Sequence, residues 1–177
     1  MNRHILGKIP FCLLDIETTG FSPDAHEITE IAAICVDERL EIIGEFSQLI
    51  SISEPIPYHI TRITGISDHL LRTQGKPLCE TLGAAHAFIT KFPTFAHNAK
   101  FDGNFLNAAS RRHAVGLNFS LECTIPTFKR LLPDQGRYGL PVLAEALAVS
   151  GGGAHRALED CRVLLECLGR VDKMRSP

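Results

Sequence analysis

Asp15 and Glu17 stand two positions apart at the end of an apolar run, Phe11 to Ile16, that reads as a buried strand. Side chains alternate along a strand, so both carboxylates fall on one face of the sheet. Held that close and partly removed from water, they repel each other and each is costly to ionise. A divalent cation removes both difficulties, and ligands that are all oxygen favour Mg²⁺ or Mn²⁺. A bare D-x-E is weak evidence, since a solvated strand end carries such a pair by coincidence. The next four residues add weight. Thr18-Thr19-Gly20 makes an abrupt turn, where glycine lets a ligand approach the backbone closely. Phe21 then offers either a ring on which a base could stack or plain packing of the loop onto the core.

Two further segments carry the same kind of chemistry. In His97-Asn98-Ala99-Lys100-Phe101-Asp102, a short strand delivers His97 and Asn98, and Asp102 falls near the start of the next helix. An aspartate there is often only a cap, although the same terminus also favours a phosphate. In His155-Arg156-Ala157-Leu158-Glu159-Asp160, five steps of about 100° would put His155 and Asp160 far apart around a helix. They can serve one site only if His155 precedes the helix, where its imidazole could take a proton from water near neutral pH. A surface histidine beside a capping turn is the plainer reading of that segment alone. Gly151-Gly152-Gly153 just before it reads as a flexible or tightly turned loop. Poor order is therefore expected around His155 without nucleotide.

The elements that must position these residues are legible in outline. Glu27 to Val36 and Glu41 to Ile52 are rich in β-branched residues and joined by four polar-leaning positions, which predicts an antiparallel hairpin. Helix-spaced apolar residues run from Pro77 to Phe92 and stop at Pro93. A short strand is expected from Thr94 to His97 and a helix from Gly103 to His113. Further helices are expected from Thr124 to Leu132, from Pro141 to Val149, and from Ala157 to Val171. Strands first, then alternating strand and helix, predict a layered α/β fold with a mixed sheet.

Composition sets bounds. The chain has 177 residues, 45% hydrophobic and 21% charged, which is ordinary for one globular domain over 1–177 with a core over about 10–170. No apolar run approaches the ~18 residues of a membrane helix, and the N-terminal run leads straight into charge without a cleavage site. A soluble cytoplasmic protein is expected, with no membrane partner. The six cysteines form no C-x-x-C pair and sit mostly in apolar stretches, so reduced core thiols are expected. Residues 1–90 hold 6 Lys/Arg against 12 Asp/Glu, and residues 91–177 hold 12 against 8. An acidic half beside a basic half suits a polyanion held against cations, but scattered surface charge would look the same.

Together the segments D-I-E-T-T-G at 15–20, I-T-E-I-A at 28–32, I-T-G-I at 63–66, H-N-A-K-F-D at 97–102 and H-R-A-L-E-D at 155–160 resemble the DEDDh branch of the DnaQ-like 3′→5′ exonucleases. That group contains the proofreading epsilon subunit of bacterial replicative DNA polymerase. The resemblance runs from about Phe11 to Leu168. It implies an RNase H-like fold with a five-stranded mixed sheet flanked by helices. It also implies that Asp15, Glu17 and Asp160 bind two divalent cations directly, that Asp102 does so directly or through water, and that His155 is the general base. The region of Thr18, Thr19 and Gly20 would hold the terminal nucleotide through backbone contacts, Phe21 and Ile66 would wedge against terminal bases, and His97 and Asn98 would contact the substrate. The family's other branch has tyrosine four residues before the last aspartate. Arg156 stands there, which places this chain in the histidine branch.

The implied reaction is hydrolysis of phosphodiester bonds at single-stranded or frayed 3′ ends, releasing nucleoside 5′-monophosphates. Two cations ~3.5–4 Å apart suit it, because they serve both the attacking and the leaving oxygen. DNA is the favoured substrate, with RNA 3′-end trimming as the alternative, since no residue shows how a 2′-hydroxyl would be treated. A non-catalytic module that holds nucleic-acid ends is the reading from another class, and the retained acids and His155 argue against it. The sequence leaves a polymerase partner or a homodimer open. The lack of a tail after the last helix would suit a stand-alone enzyme or an excised catalytic domain.

Overall fold

The apolar run after Pro10 becomes the central strand of the computed structural model, which describes residues 10–150 and 155–174. This strand, β1 (Phe11–Thr18), lies between β2 (Ile28–Val36), antiparallel to it, and β4 (Thr94–Ala96), parallel to it. Beyond β2 lies β3 (Ile42–Leu49), and beyond β4 lies β5 (Glu122–Cys123), giving the order β3-β2-β1-β4-β5. The predicted hairpin is present, with β2 and β3 antiparallel. The mixed five-stranded α/β architecture expected of an RNase H-like fold is therefore the one observed.

Alternation along β1 divides the interior into two halves. Phe11 and Leu13 point to a core closed by α6 (Leu140–Ala146) and α7 (Ala157–Lys173), with Leu143, Cys161, Leu164 and Leu168 among its members. Cys12, Leu14 and Ile16 point the other way, to a core closed by α3 (Leu78–Ile89) and α4 (Ala99–Arg112) through Leu82, Ala85, Phe105 and Leu106. α7 buries Ala157, Cys161, Leu164, Cys167, Leu168 and Val171, a helix-spaced stripe that seats it on β1 and β2.

The structure corrects the sequence reading in four places. Two helices escaped it, α1 (Tyr58–Thr64) and α2 (Asp68–Gln74), because seven residues span too few turns to show a period. α4 starts at Ala99, four residues before the expected Gly103, because Asn98 adopts φ 67° and turns the chain directly into the helix. Asparagine tolerates that left-handed conformation better than most residues. The two-residue strand β5 lies in a stretch that gave no strand signal. Finally, Cys12 and Cys35 are not free thiols. They face each other across β1 and β2 with Cα atoms 4.0 Å apart and form a disulfide, while Cys79, Cys123, Cys161 and Cys167 are free. Directly opposed residues of an antiparallel pair come this close, and only the strand register reveals the pairing. Helix α5 (Ile125–Leu131) lies within its expected bounds. The triple glycine at 151–153 lies outside the described residues. Among the described residues, no helix is long and apolar enough to cross a membrane.

Candidate active site

Asp15 and Glu17 continue the face of β1 that begins with Phe11 and Leu13, so they emerge where the α7-side core ends. α7 lies across that face and brings Asp160, in its first turn, to meet them. Carboxylate oxygens of Asp15, Glu17 and Asp160 all lie within 4.8 Å of one another. Asp102 comes from the first turn of α4 and is buried beside Asp15, outside that tight triad. His155 precedes α7, as the spacing argument required, and its Nδ1 lies 3.7 Å from Asp160 Oδ2. Its backbone N–H donates to the Ile63 carbonyl at 3.2 Å. The imidazole lies beside the acids, against the expectation of poor order around His155, and the glycines on which that expectation rested lie outside the described residues.

Four acids in one place have electrostatic consequences. Burial, then the charges of Asp102, Glu17, Asp160 and Glu30, hold the Asp15 carboxyl well above its ordinary range. Burial, then Asp160 and Glu30, push Glu17 up to about 8, against the opposing pull of Arg156. Burial pushes Asp102 up to about 7, although backbone N–H groups of Asp102 and Ile16 act against it. Asp160 is raised by burial and lowered by His155. This donor set is all oxygen, crowded, and unfavourable to ionise without a counter-charge. Those properties fit a hard divalent cation and do not fit a soft one.

The acids and His155 line a cleft of about 240 Å³ together with Thr18, Gly20, Phe21 and His97. Ile16, Ile60, Ile63, Thr64 and Phe101 complete the wall, and none of these five was anticipated. Phe21 is 85% exposed at the rim, free to stack. Gly20 serves a different close approach from the one expected: a Cβ there would stand 2.2 Å from the His26 ring, so the glycine seats the loop on its own histidine. Thr18 Oγ1 donates to the Gly20 carbonyl at 2.6 Å and tightens the same turn.

Three expected substrate contacts, Thr19, Ile66 and Asn98, lie outside the cleft lining, and His97 lies within it. Thr19 is buried, and its hydroxyl accepts from the Glu27 N–H at 3.0 Å, so it closes the loop and does not face the cleft. Ile66 is fully buried with Leu49, Ile56, Ile60 and Leu71. Gly65, at φ 71°, ends α1 and turns the chain inward, leaving Ile63 as the apolar residue of I-T-G-I that is 48% exposed on the cleft. The motif was visible, but its sequence does not say which isoleucine faces out. His97 lines the cleft with both ring nitrogens engaged, Nδ1 accepting from Thr124 Oγ1 at 2.8 Å and Nε2 donating to the Tyr138 carbonyl at 2.6 Å. Burial also lowers its pKa, so it acts as a neutral strut between β4 and the loop before α6. Asn98 is an exposed helix start outside the cleft.

Sequence reasoning also passed over Glu30. It pairs with Glu17 across β1 and β2, is fully buried, and holds Arg156 in a two-pronged ion pair at 2.9 Å. The I-T-E-I-A segment at 28–32 contains it, and a carboxylate in a strand otherwise apolar but for Thr29 was a further signal.

The sequence profile of the exonuclease family RNase_T matches residues 12–168. The chain is 35% identical over 161 residues to DNA polymerase III subunit epsilon of Treponema pallidum, covering 89% of this chain and 74% of that one. It is 32% identical over 159 residues to the PolC-type DNA polymerase III of Clostridium perfringens, covering 89% of this chain but only 11% of the relative's length. Among solved structures, a zinc-bound form of an E. coli exonuclease I–single-stranded DNA complex superposes with a TM-score of 0.80 at 20% identity, over 96% of this chain and 42% of that one. E. coli exonuclease I in complex with a dT13 oligonucleotide gives 0.77 at 19% identity, over the same shares. From the family profile and the epsilon relative, the chain belongs to the exonuclease family and is a DnaQ-like 3′→5′ exonuclease.

Proposed function

We propose that the enzyme removes nucleotides one at a time from single-stranded or frayed 3′ ends, preferring DNA, and releases nucleoside 5′-monophosphates. The observation that carries this reading is the convergence of Asp15, Glu17 and Asp160 within 4.8 Å, with His155 at 3.7 Å from Asp160. Asp15, Glu17 and Asp160 would hold two divalent cations, Mg²⁺ or Mn²⁺, with Asp102 completing the set directly or through water. Such cations, when bound, supply charge stabilisation to the attacking and leaving oxygens. The chain's own groups do the rest. His155, half exposed at the cleft mouth, takes the proton from the attacking water. Phe21 and Ile63 flank the cleft and pack on the terminal bases, which orients the last phosphodiester over the acids. Preference for DNA is supported by the polymerase relatives and by the oligonucleotide held by the structural neighbour. A polymerase partner and a cytoplasmic setting belong to the same proposal, on the same relatives.

The test is digestion of matched single-stranded DNA, RNA and mismatched-duplex ends, labelled at the 5′ end, with Mg²⁺ or Mn²⁺ and with EDTA. Stepwise shortening of the DNA from its 3′ end, abolished by EDTA and by Asp15→Asn, is expected. Near-normal rates for Asp15→Asn would refute the site, and faster digestion of RNA would reverse the substrate preference.

A further inference from the structure

Glu30 is a carboxylate with no exposure at all, set in the middle of a sheet directly opposite Glu17. A buried charge persists only where its oxygens are fully partnered. Arg156 Nε donates to Oε2 and Arg156 Nη2 to Oε1, each at 2.9 Å, while the Ala157 N–H donates to Oε2 at 3.2 Å and Ser47 Oγ to Oε1 at 3.2 Å. These bonds converge on the residue that begins α7. Arg156 is the helix's N-cap, in extended conformation, with no side-chain cap of its own. Glu30 supplies the missing acceptor from a neighbouring strand.

The two functional groups on either side of Arg156 are held very differently. Asp160 lies on a helix that packs closely, next to Cys161, which is 1% exposed. His155 precedes the helix, its side chain is 53% exposed, and its backbone is tied by the N–H donated to Ile63. Its position therefore depends on two anchors, the α1 carbonyl before it and the Glu30–Arg156 pair after it. The pair has a second effect. With both oxygens committed, Glu30 is kept from joining the cluster as a competing ligand, although its strand partner Glu17 belongs to it.

We propose that Glu30 and Arg156 are positioning residues for hydrolysis: their two-pronged pair fixes the backbone at the start of α7 and so holds His155 beside Asp160. This rests on the proposed nuclease function. Arg156→Lys keeps the charge and loses the planar fork. It should lower kcat on single-stranded DNA about tenfold to a hundredfold, the range for lost support of a reacting group. KM and calorimetric Mn²⁺ affinity should stay unchanged, and amide exchange at His155 and Ala157 should speed up. In a His155→Ala background the same substitution should have no further effect on kcat, because the group it positions is gone. Glu30→Gln should repeat the loss of kcat, its dependence on His155 and the faster amide exchange, while its Mn²⁺ affinity should change because the Glu30 charge acts on Asp15 and Glu17.

An equal loss of kcat with and without His155 would overturn the proposal, as would an unchanged kcat in an active parent. Unfolding of both variants at assay temperature would also overturn it, making the pair a requirement of the fold. A parent chain that digests nothing would instead sink the nuclease reading, and amide exchange would still test the clamp.

Discussion

Without a divalent cation, the protein should lose stability as pH rises, and Glu17→Gln should remove part of that loss. In the unfolded chain the Glu17 carboxyl has its ordinary value of 4.5, and the fold pushes it up to about 8. Asp102 moves from 3.8 to about 7, and Asp15 and Asp160 move in the same direction. A raised carboxyl holds its proton more tightly when folded. From about pH 4 to about 8 the folded chain therefore binds more protons than the unfolded chain, and stability falls with pH. The contribution is fully present below about pH 4 and gone above about pH 8. The groups acting on Glu17 come from four elements: Asp160 and Arg156 from the α7 end, Glu30 from β2, Asp102 from α4, and its own burial on β1. For Glu17 the displacement corresponds to about 5 kcal/mol. In a chain of this size that is a drop in Tm of about 10 °C or more. Calorimetric or fluorescence melts in EDTA from acid to alkaline pH should show the fall. Glu17→Gln should flatten the curve, and added Mg²⁺ or Mn²⁺ should restore the alkaline Tm by replacing protons as the counter-charge. A parent Tm that is level or rises over this range in EDTA would refute the electrostatic account of the cluster.

Three further outcomes are expected. His155→Ala should lower kcat by about 10²–10⁴, the usual contribution of a general base, with KM little changed. A full-rate variant would remove His155 from the chemistry. Ile63→Ala should weaken binding of single-stranded DNA and leave Tm alone. Ile66→Ala should cost about 2–5 kcal/mol of stability as a core truncation, and the reverse pattern would restore Ile66 as the wedge. Alkylation of the denatured chain without reductant should label four of the six cysteines, sparing Cys12 and Cys35. Six labels would return the pair to the free thiols expected of a reducing compartment.

The features legible in the sequence were the local ones. The D-x-E spacing, the apolar run before it and the short polar connection between β2 and β3, five residues where four were expected, are properties of neighbouring residues. That His155 must precede its helix came from helical angle alone. Contacts depending on register or on a turn's sense were not legible. Cys12 meets Cys35, and Glu17 meets Glu30, only because β1 and β2 pair in one register. Ile63 rather than Ile66 faces the cleft because Gly65 adopts a positive φ. His97 lines the cleft as expected of it, but that its ring nitrogens meet Thr124 and Tyr138, 27 and 41 residues away, was not legible.

The same face of β1 carries core and chemistry in succession, and that arrangement explains how an acidic cluster is tolerated. Phe11 and Leu13 pack against α7 and the helices beside it, while Asp15 and Glu17, two and four residues on from Leu13, face the first turn of that same α7. The pairing of β1 and β2 shifts register between Glu17 and Thr18, where β2 carries one extra residue, Thr29, so the regular ladder is interrupted immediately after the second acid. The apolar half of the strand thus anchors the sheet–helix interface that the charged half strains. Cys161, whose thiol lies 3.7 Å from the Leu13 carbonyl, stands directly after Asp160 and leaves little room for α7 to retreat from the acids. With the helix fixed by packing and its first residue fixed by Glu30, repulsion among Asp15, Glu17 and Asp160 cannot be relieved by moving the backbone. It must be relieved by protons or by a counter-charge, which is why the melts in EDTA and with added cation read the cluster directly.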